Sequence, residues 1–404
     1  MLSLKELYQI GHGPSSSHTM GPAKAAEIIK NKYKDIGHIT VKLYNSLALT
    51  GQGHLTHDAI KHVLNPHPVD FLSEINQVKH PNNMLFSIYD KEGNLMNTEE
   101  VQSIGGGRIL FIGDESNLYE PYSERGFDEI KMYCKEHKLS LYDYVVQKEG
   151  KEIVDFLYTI WEAMKEAVER GLKTQGVLPG PLKVKRKAPM LYEHQDVKED
   201  VFTRKSRLIT SYAYAVSEEN ASGGIIVTAP TCGACGVLPA VLYDAYMNDK
   251  IHEEIIIEGL AVAGIVGNLI KHNASISGAV AGCQAEVGSA CTMAAAAYAF
   301  IKNADIDTIE HAAEIAMEHH LGLTCDPVNG YVQIPCIERN AVAALRAIDA
   351  KRLALIVGSS NIISLDTVIE TMYHTGLDMN VSYKETSLGG LAKFYKGEKD
   401  ANCW

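Results

Sequence analysis

The sequence predicts an α/β portion over residues 1–130 followed by an all-helical portion over residues 131–404. Period-two alternation, the mark of a half-buried strand, recurs within the first 112 residues, at 39–44, 85–89 and 108–112. From about Ser140 onward the apolar residues recur instead at helical spacing, in alanine-rich stretches with Gly and Pro at the joints. The length of 404 residues also exceeds what one compact domain usually holds.

In chain order, residues 22–32 and 56–64 have helical spacing and fall between the predicted strands. An acidic turn at 90–94 ends the second strand, and Gly105, Gly106 and Gly107 precede the third. The charged stretch 113–139 carries the domain boundary. Residues 153–170 have helical periodicity, with Gly171 placed as the C-cap, and 176–181 form a Gly/Pro loop. No internal repeat of fixed period is present.

Composition narrows the function classes. The chain is 46% hydrophobic and 22% charged, as folded globular proteins are. Fifty acidic against 38 basic residues give a net charge of −12, which argues against nucleic acid or an anionic membrane as the main partner. The apolar runs 259–270 and 279–300 are too short or, with Gln284 and Glu286, too polar for a membrane span. The first residues have no apolar core of signal-peptide length, so a cytoplasmic location is expected. In that reducing compartment eight cysteines mean thiols, metal ligands or a cluster more readily than disulfides.

Five segments stand apart from ordinary filler. Ser15, Ser16, Ser17 and His18 precede a helix with Pro22 near its start. Free N–H groups and hydroxyls there make an anion cradle suited to a carboxylate, or a plain N-cap with an exposed histidine. The stretch 46–58 holds Gly51 and Gly53, which permit close backbone approach, and His54 and His57, which titrate near neutral pH. Cys232 and Cys235 form a C-x-x-C, open to a redox or zinc reading. No second pair lies at zinc-ribbon spacing, however, and two small buried thiols near a helix start is the simpler account. Asn273, Ser275 and Ser277 interrupt two apolar helices and must be hydrogen-bonded, to a ligand or to a helix break. Cys283, Cys325 and Cys336 fit no zinc-finger or ferredoxin spacing and are core thiols or ligands. Each sits among Gly, Pro and polar residues.

Together these segments resemble the iron–sulfur L-serine dehydratases, in the single-chain form that fuses β and α portions. The resemblance spans nearly the whole chain. It is carried by GPSSSHTMGP at 13–22, SLALTGQGH at 46–54, SIGGG at 103–107, GVLPGPL at 176–182, NASISGA at 273–279, the segment from Glu314 to Asn340, and ETMYHTGLDMN ending at Asn380.

The resemblance implies a [4Fe–4S] cluster on Cys283, Cys325 and Cys336, without pyridoxal phosphate. The C-terminal Cys403 would reach the fourth iron when substrate is absent. It implies an N-terminal domain like the substrate-sensing domain of some phosphoglycerate dehydrogenases, an all-helical domain carrying the cluster, a homodimer, and L-serine as substrate. His54 is then expected as base and His18 as acid or orienter. Ser15, Ser16, Ser17 and Thr56 would hold the substrate, with Asn273, Ser275 and Ser277 contacting it or supporting those contacts. Three departures from the family pattern stand out: Cys232 in place of Asn, His57 in place of Asp with Asp58 next, and Trp404 beyond the terminal cysteine. The rival readings are a cluster lyase for threonine or cysteine and a non-catalytic serine sensor. A pyridoxal-phosphate dehydratase fits the motifs poorly.

Overall fold

The structure, a computed structural model, describes the chain except residues 77, 114–118, 195–197, 359–360 and 398–404. The first part is built on a five-stranded mixed sheet. Its elements are β1 (Ile10–His12), α1 (Gly21–Lys32), β2 (His38–Tyr44), α2 (Asn45–Thr50), α3 (Thr56–Leu64), β3 (Val69–Glu74), β4 (Asn83–Tyr89), β5 (Leu95–Gly105) and β6 (Arg108–Phe111). The sheet order is β3-β2-β4-β5-β6; β2 and β3 run parallel and the other pairs antiparallel.

Alternation explains which strand faces are buried. Ile39, Val41 and Leu43 on β2, and Met84, Phe86 and Ile88 on β4, are fully buried, and they pack with Ala25, Ala26 and Ile29 of α1 and Ile60 and Leu64 of α3. The strands at 39–44, 85–89 and 108–112 and the helices at 22–32 and 56–64 stand where the patterns put them, within a residue or two. Two strands of the five-stranded sheet escaped the pattern, as did the short β1 outside it. Both β3 and the first half of β5 are largely exposed, so neither shows a clean apolar alternation.

The second part is mostly helical. Its principal elements are α4 (Glu152–Lys173), α5 (Val201–Ala221), β7 (Ile225–Val227), α6 (Glu253–Asn273), α7 (Ser289–Ile301), α8 (Ile306–Glu318) and α9 (Cys336–Val357). Helix α7 is buried on nearly every side and packs against α6, α8 and α9. Its run Ala294–Ala297 keeps the side chains short enough for this close approach.

The expectation of an all-helical second part is corrected by β7, which pairs antiparallel with β1, Ile10 opposite Val227. Leu4, Leu7 and Tyr8 accordingly lie in the helical core, and the Tyr8 hydroxyl donates to the Leu260 carbonyl at 2.9 Å. Gly171 does not cap α4 either; the helix continues to Lys173. The residue is glycine because α5 crosses there, and a Cβ would lie 2.3 Å from the Ala215 carbonyl oxygen. Gly171→Ala is therefore expected to destabilise the fold by about 1–3 kcal/mol, the usual range for overpacking, read as a lowered thermal midpoint. No helix among the described residues is long and apolar enough to cross a membrane.

Candidate active site

The two parts meet at an enclosed cavity. From the first part come Pro14, Ser15 and His54; from the second come Gly233, Cys283, Glu286, Cys325, Cys336 and Glu385. Three cysteines separated by 42 and 11 positions (325−283 and 336−325) thus reach one space shared with a histidine.

Each thiol is set at an irregular joint. Cys283 precedes a π-helical turn (Gln284–Gly288) that leads into α7, and Cys336 opens α9. Cys325 lies in an extended segment whose N–H donates to the Tyr383 carbonyl at 2.8 Å. Burial pushes the Cys283 thiol up to about 12, against the nearby Arg339 guanidinium, and raises Cys325 and Cys336 as well. Arg339 is held by the Thr324 carbonyl at 2.6 Å and by the Asp326 carboxylate at 2.9 Å.

The histidine side is a connected network. A π-helical turn at Ser16–Met20 starts α1, and the Ser15 hydroxyl accepts from the His18 N–H at 3.1 Å. Ser17 Oγ lies 2.8 Å from His18 Nδ1, and Ser46 Oγ lies 3.0 Å from His18 Nε2. Thr56 donates to the His18 carbonyl at 2.5 Å, and Thr19 to the His54 carbonyl at 2.6 Å. The two imidazoles are 4.6 Å apart between centroids.

His54 Nδ1 lies 3.0 Å from the Thr50 carbonyl, which can only accept, so the ring proton is assigned to Nδ1. Its Nε2 is buried without a hydrogen-bond partner. Burial holds this imidazole down at about 4, and burial, then the neighbouring His54, hold His18 well below the usual range. Both rings are neutral at pH 7, and His54 has a free lone pair at Nε2.

Among the described residues Asn273, Ser275 and Ser277 do not line the cavity. Asn273 is exposed and donates to the Arg125 carbonyl at 2.6 Å, while the Ser275 hydroxyl accepts from the Ser277 N–H at 3.1 Å. Ser16 is buried within its turn. His57 lies on α3 edge-on to Phe71, at 4.4 Å, and Asp58 lines an outer groove. Cys232 and Cys235 are fully buried around a short turn, and Cys232 Sγ is 3.3 Å from Met20 Sδ. Cys403 and Trp404 lie outside the described residues.

Two carboxylates were not anticipated as site residues. Glu286 Oε2 is 3.9 Å from Cys325 Sγ, and burial raises its carboxyl to about 7. Glu385 Oε1 is 3.7 Å from both His18 Nδ1 and His54 Nε2. Burial, and then the charge of Glu286, raises it well above the ordinary range. The sequence offers Glu286 only as a break in an apolar run, and offers no signal for Glu385.

A buried cavity with thiols on one wall and a neutral, proton-accepting histidine on the other, set between an α/β part and a helical part, is the arrangement of an enzyme. Residues 84–392 match the family described as serine dehydratase alpha chain, and residues 3–72 match the one described as serine dehydratase beta chain. The chain is 41% identical over 450 aligned positions to L-serine dehydratase of Haemophilus influenzae, covering 97% of this chain and 99% of the relative. It is also 41% identical to L-serine dehydratase 2 of Escherichia coli and 40% identical to L-serine dehydratase of Streptomyces coelicolor, each covering 97% of this chain and 98% of the relative. This chain belongs to the serine dehydratase family.

Proposed function

We propose that this chain is an L-serine dehydratase that converts L-serine to pyruvate and ammonia, with a [4Fe–4S] cluster held by Cys283, Cys325 and Cys336. The observation that carries this reading is the convergence of three sequence-distant thiols on one cavity with a histidine whose Nε2 is free. The residues fit such a group. The donor set is all thiol, the usual ligand type of [4Fe–4S] clusters, and Arg339 offsets the negative charge that three thiolates would bring. Gly278 packs directly against this wall: a Cβ there would lie 3.1 Å from Cys325 Sγ and 2.7 Å from Glu286 Oε2, so a side chain would push into the thiol side of the cavity.

When bound, a cluster with three protein ligands supplies an iron of Lewis acidity toward the substrate's β-hydroxyl and carboxylate. The protein's own groups do the rest. His54 takes the Cα proton at Nε2, because the Thr50 carbonyl fixes its other proton on Nδ1. Ser15, on the cavity wall, donates its hydroxyl to the substrate carboxylate. Ser17 and Ser46 fix the His18 ring, which packs against His54 and limits its rotation. Enclosure between the two parts excludes bulk water while the proton moves. Loss of the Cα proton and the β-hydroxyl gives the enamine, whose hydrolysis yields pyruvate and ammonia.

In this reading the enzyme works as a homodimer in the cytoplasm, and its first part is related to the substrate-sensing domain of some phosphoglycerate dehydrogenases. Anaerobic purification with iron and sulfide analysis and a pyruvate assay tests the function. About four irons per chain are expected, with pyruvate formed from L-serine and not from D-serine. Absence of both iron and pyruvate after anaerobic reconstitution would sink the proposal.

A further inference from the structure

The proposed substrate carries a positive charge, and none of the groups assigned so far receives it. An ammonium taken into a buried cavity needs an anionic, hydrogen-bonding partner, since an unpaired charge there is costly. The cavity offers two carboxyl groups; burial favours their neutral forms, and an ammonium placed against either favours the ionised one. Glu286 is on the thiol side, against Cys325, whereas Glu385 faces the base.

We infer that Glu385 receives the α-ammonium group of the substrate, an assignment that rests on the function proposed above. Its Oε1 is 3.7 Å from His54 Nε2 and 3.7 Å from His18 Nδ1, too far for a hydrogen bond to either. The three side chains bring ligand-type atoms within 4.8 Å of one another, a spacing that would also suit a metal ion. However, both ring nitrogens of His18 already lie at hydrogen-bond distance from serine hydroxyls. An ammonium instead brings three donors of its own and needs only acceptors.

The placement also matches the reaction. A base must come within roughly 2.6–3.2 Å of the group whose proton it takes. In serine the nitrogen is one bond from the Cα that loses its proton, so the ammonium's acceptor has to stand beside the base. Glu385 is held there from both parts of the protein. Its N–H donates to the Cys325 carbonyl at 2.9 Å, and its carbonyl accepts from the Ser46 hydroxyl at 3.1 Å. Its φ of 57° lies in the left-handed region, a strained conformation that persists only where surrounding contacts impose it.

The test is Glu385→Gln in the iron-loaded enzyme, measured with L-serine as substrate and L-glycerate as inhibitor. Glycerate keeps the carboxylate and β-hydroxyl but has a hydroxyl in place of the ammonium. The serine KM is expected to rise roughly 10- to 100-fold, the worth of a charged hydrogen bond, while the glycerate inhibition constant stays unchanged. Glu385→Asp, which keeps the charge, should recover part of the loss. An unchanged serine KM, or an equal rise in both constants, overturns the assignment. If the glutamine variant fails to fold, the aspartate variant decides: its preference for serine over glycerate must fall, and an unaltered preference refutes the role. A parent enzyme that makes no pyruvate removes the function itself and this assignment with it.

Discussion

Cys325→Ser is expected to lower pyruvate formation at least roughly a thousandfold and to reduce the iron retained after anaerobic loading. Lewis-acid stabilisation by a metal centre contributes several kcal/mol, and each ~1.4 kcal/mol is a factor of ten in rate. A serine hydroxyl does not ionise to serve in the thiol's place, and the extended segment that carries it is fixed by hydrogen bonds to Tyr383 and Glu385, so the backbone cannot shift to bring another thiol there. Cys283→Ser and Cys336→Ser should behave alike, since all three thiols line the same cavity. Cys291 provides the control. It is a fully buried thiol on α7, 3.2 Å from the Ala343 carbonyl, and it is absent from the cavity wall. Cys291→Ala should keep its iron and its activity. Full iron and full activity in Cys325→Ser would remove that residue from the ligand set.

The second large effect is expected at His54. His54→Asn should lower kcat by roughly 10²- to 10⁴-fold, the usual contribution of a positioned general base. The serine KM should change far less, because the imidazole serves the moving proton rather than ground-state binding. Asparagine is chosen because its amide can still donate to the Thr50 carbonyl, which keeps the loop around Gly53 in place. Iron content is the second readout and should match the parent. A variant whose activity falls only in proportion to lost iron would show that His54 supports the site without acting as the base.

The parts of the molecule that could be read from the chain are those whose physics is local. Strands β2 and β4 bury one face completely, so Ile39, Val41 and Leu43, or Met84, Phe86 and Ile88, write a period of two into the sequence. Strand β3 lies at the sheet edge with mixed exposure, and there the pattern fades. Gly171 shows the same limit in a helix. As a sequence signal it marks an end, and only the crossing of α5, at Ala215, over Gly171 reveals that it permits close packing. Within the site, Ser15, His18, His54 and the three cysteines sit in segments crowded with Gly, Pro and hydroxyl residues, a composition that ordinary core does not have. Glu385 lies 49 positions after Cys336 (385−336), in a stretch without periodicity. It enters the cavity through tertiary pairings, a parallel bridge between Cys325 and Lys384 and a hydrogen bond from the Ser46 hydroxyl, that leave no local trace. The reverse holds for Asn273, whose polar setting left a ligand and a helix break equally open and whose partner here is the Arg125 carbonyl.

The seating of the first residues bears on how the protein is made. Tyr8 is joined to Leu260, 252 positions later, and among the described residues β1 has its only sheet partner in β7. At a synthesis rate of roughly 5–20 residues per second, the opening segment waits roughly 10–50 seconds for Leu260 to be translated. The five-stranded sheet can form in that interval, since its strands all lie between His38 and Phe111. The helical core cannot close until the segment around Tyr8 returns to it. Closing so long a loop costs little more than closing a shorter one, so the burden is kinetic: Leu4, Leu7 and Tyr8 stay exposed on the nascent chain, where a chaperone that binds short apolar segments would find them first.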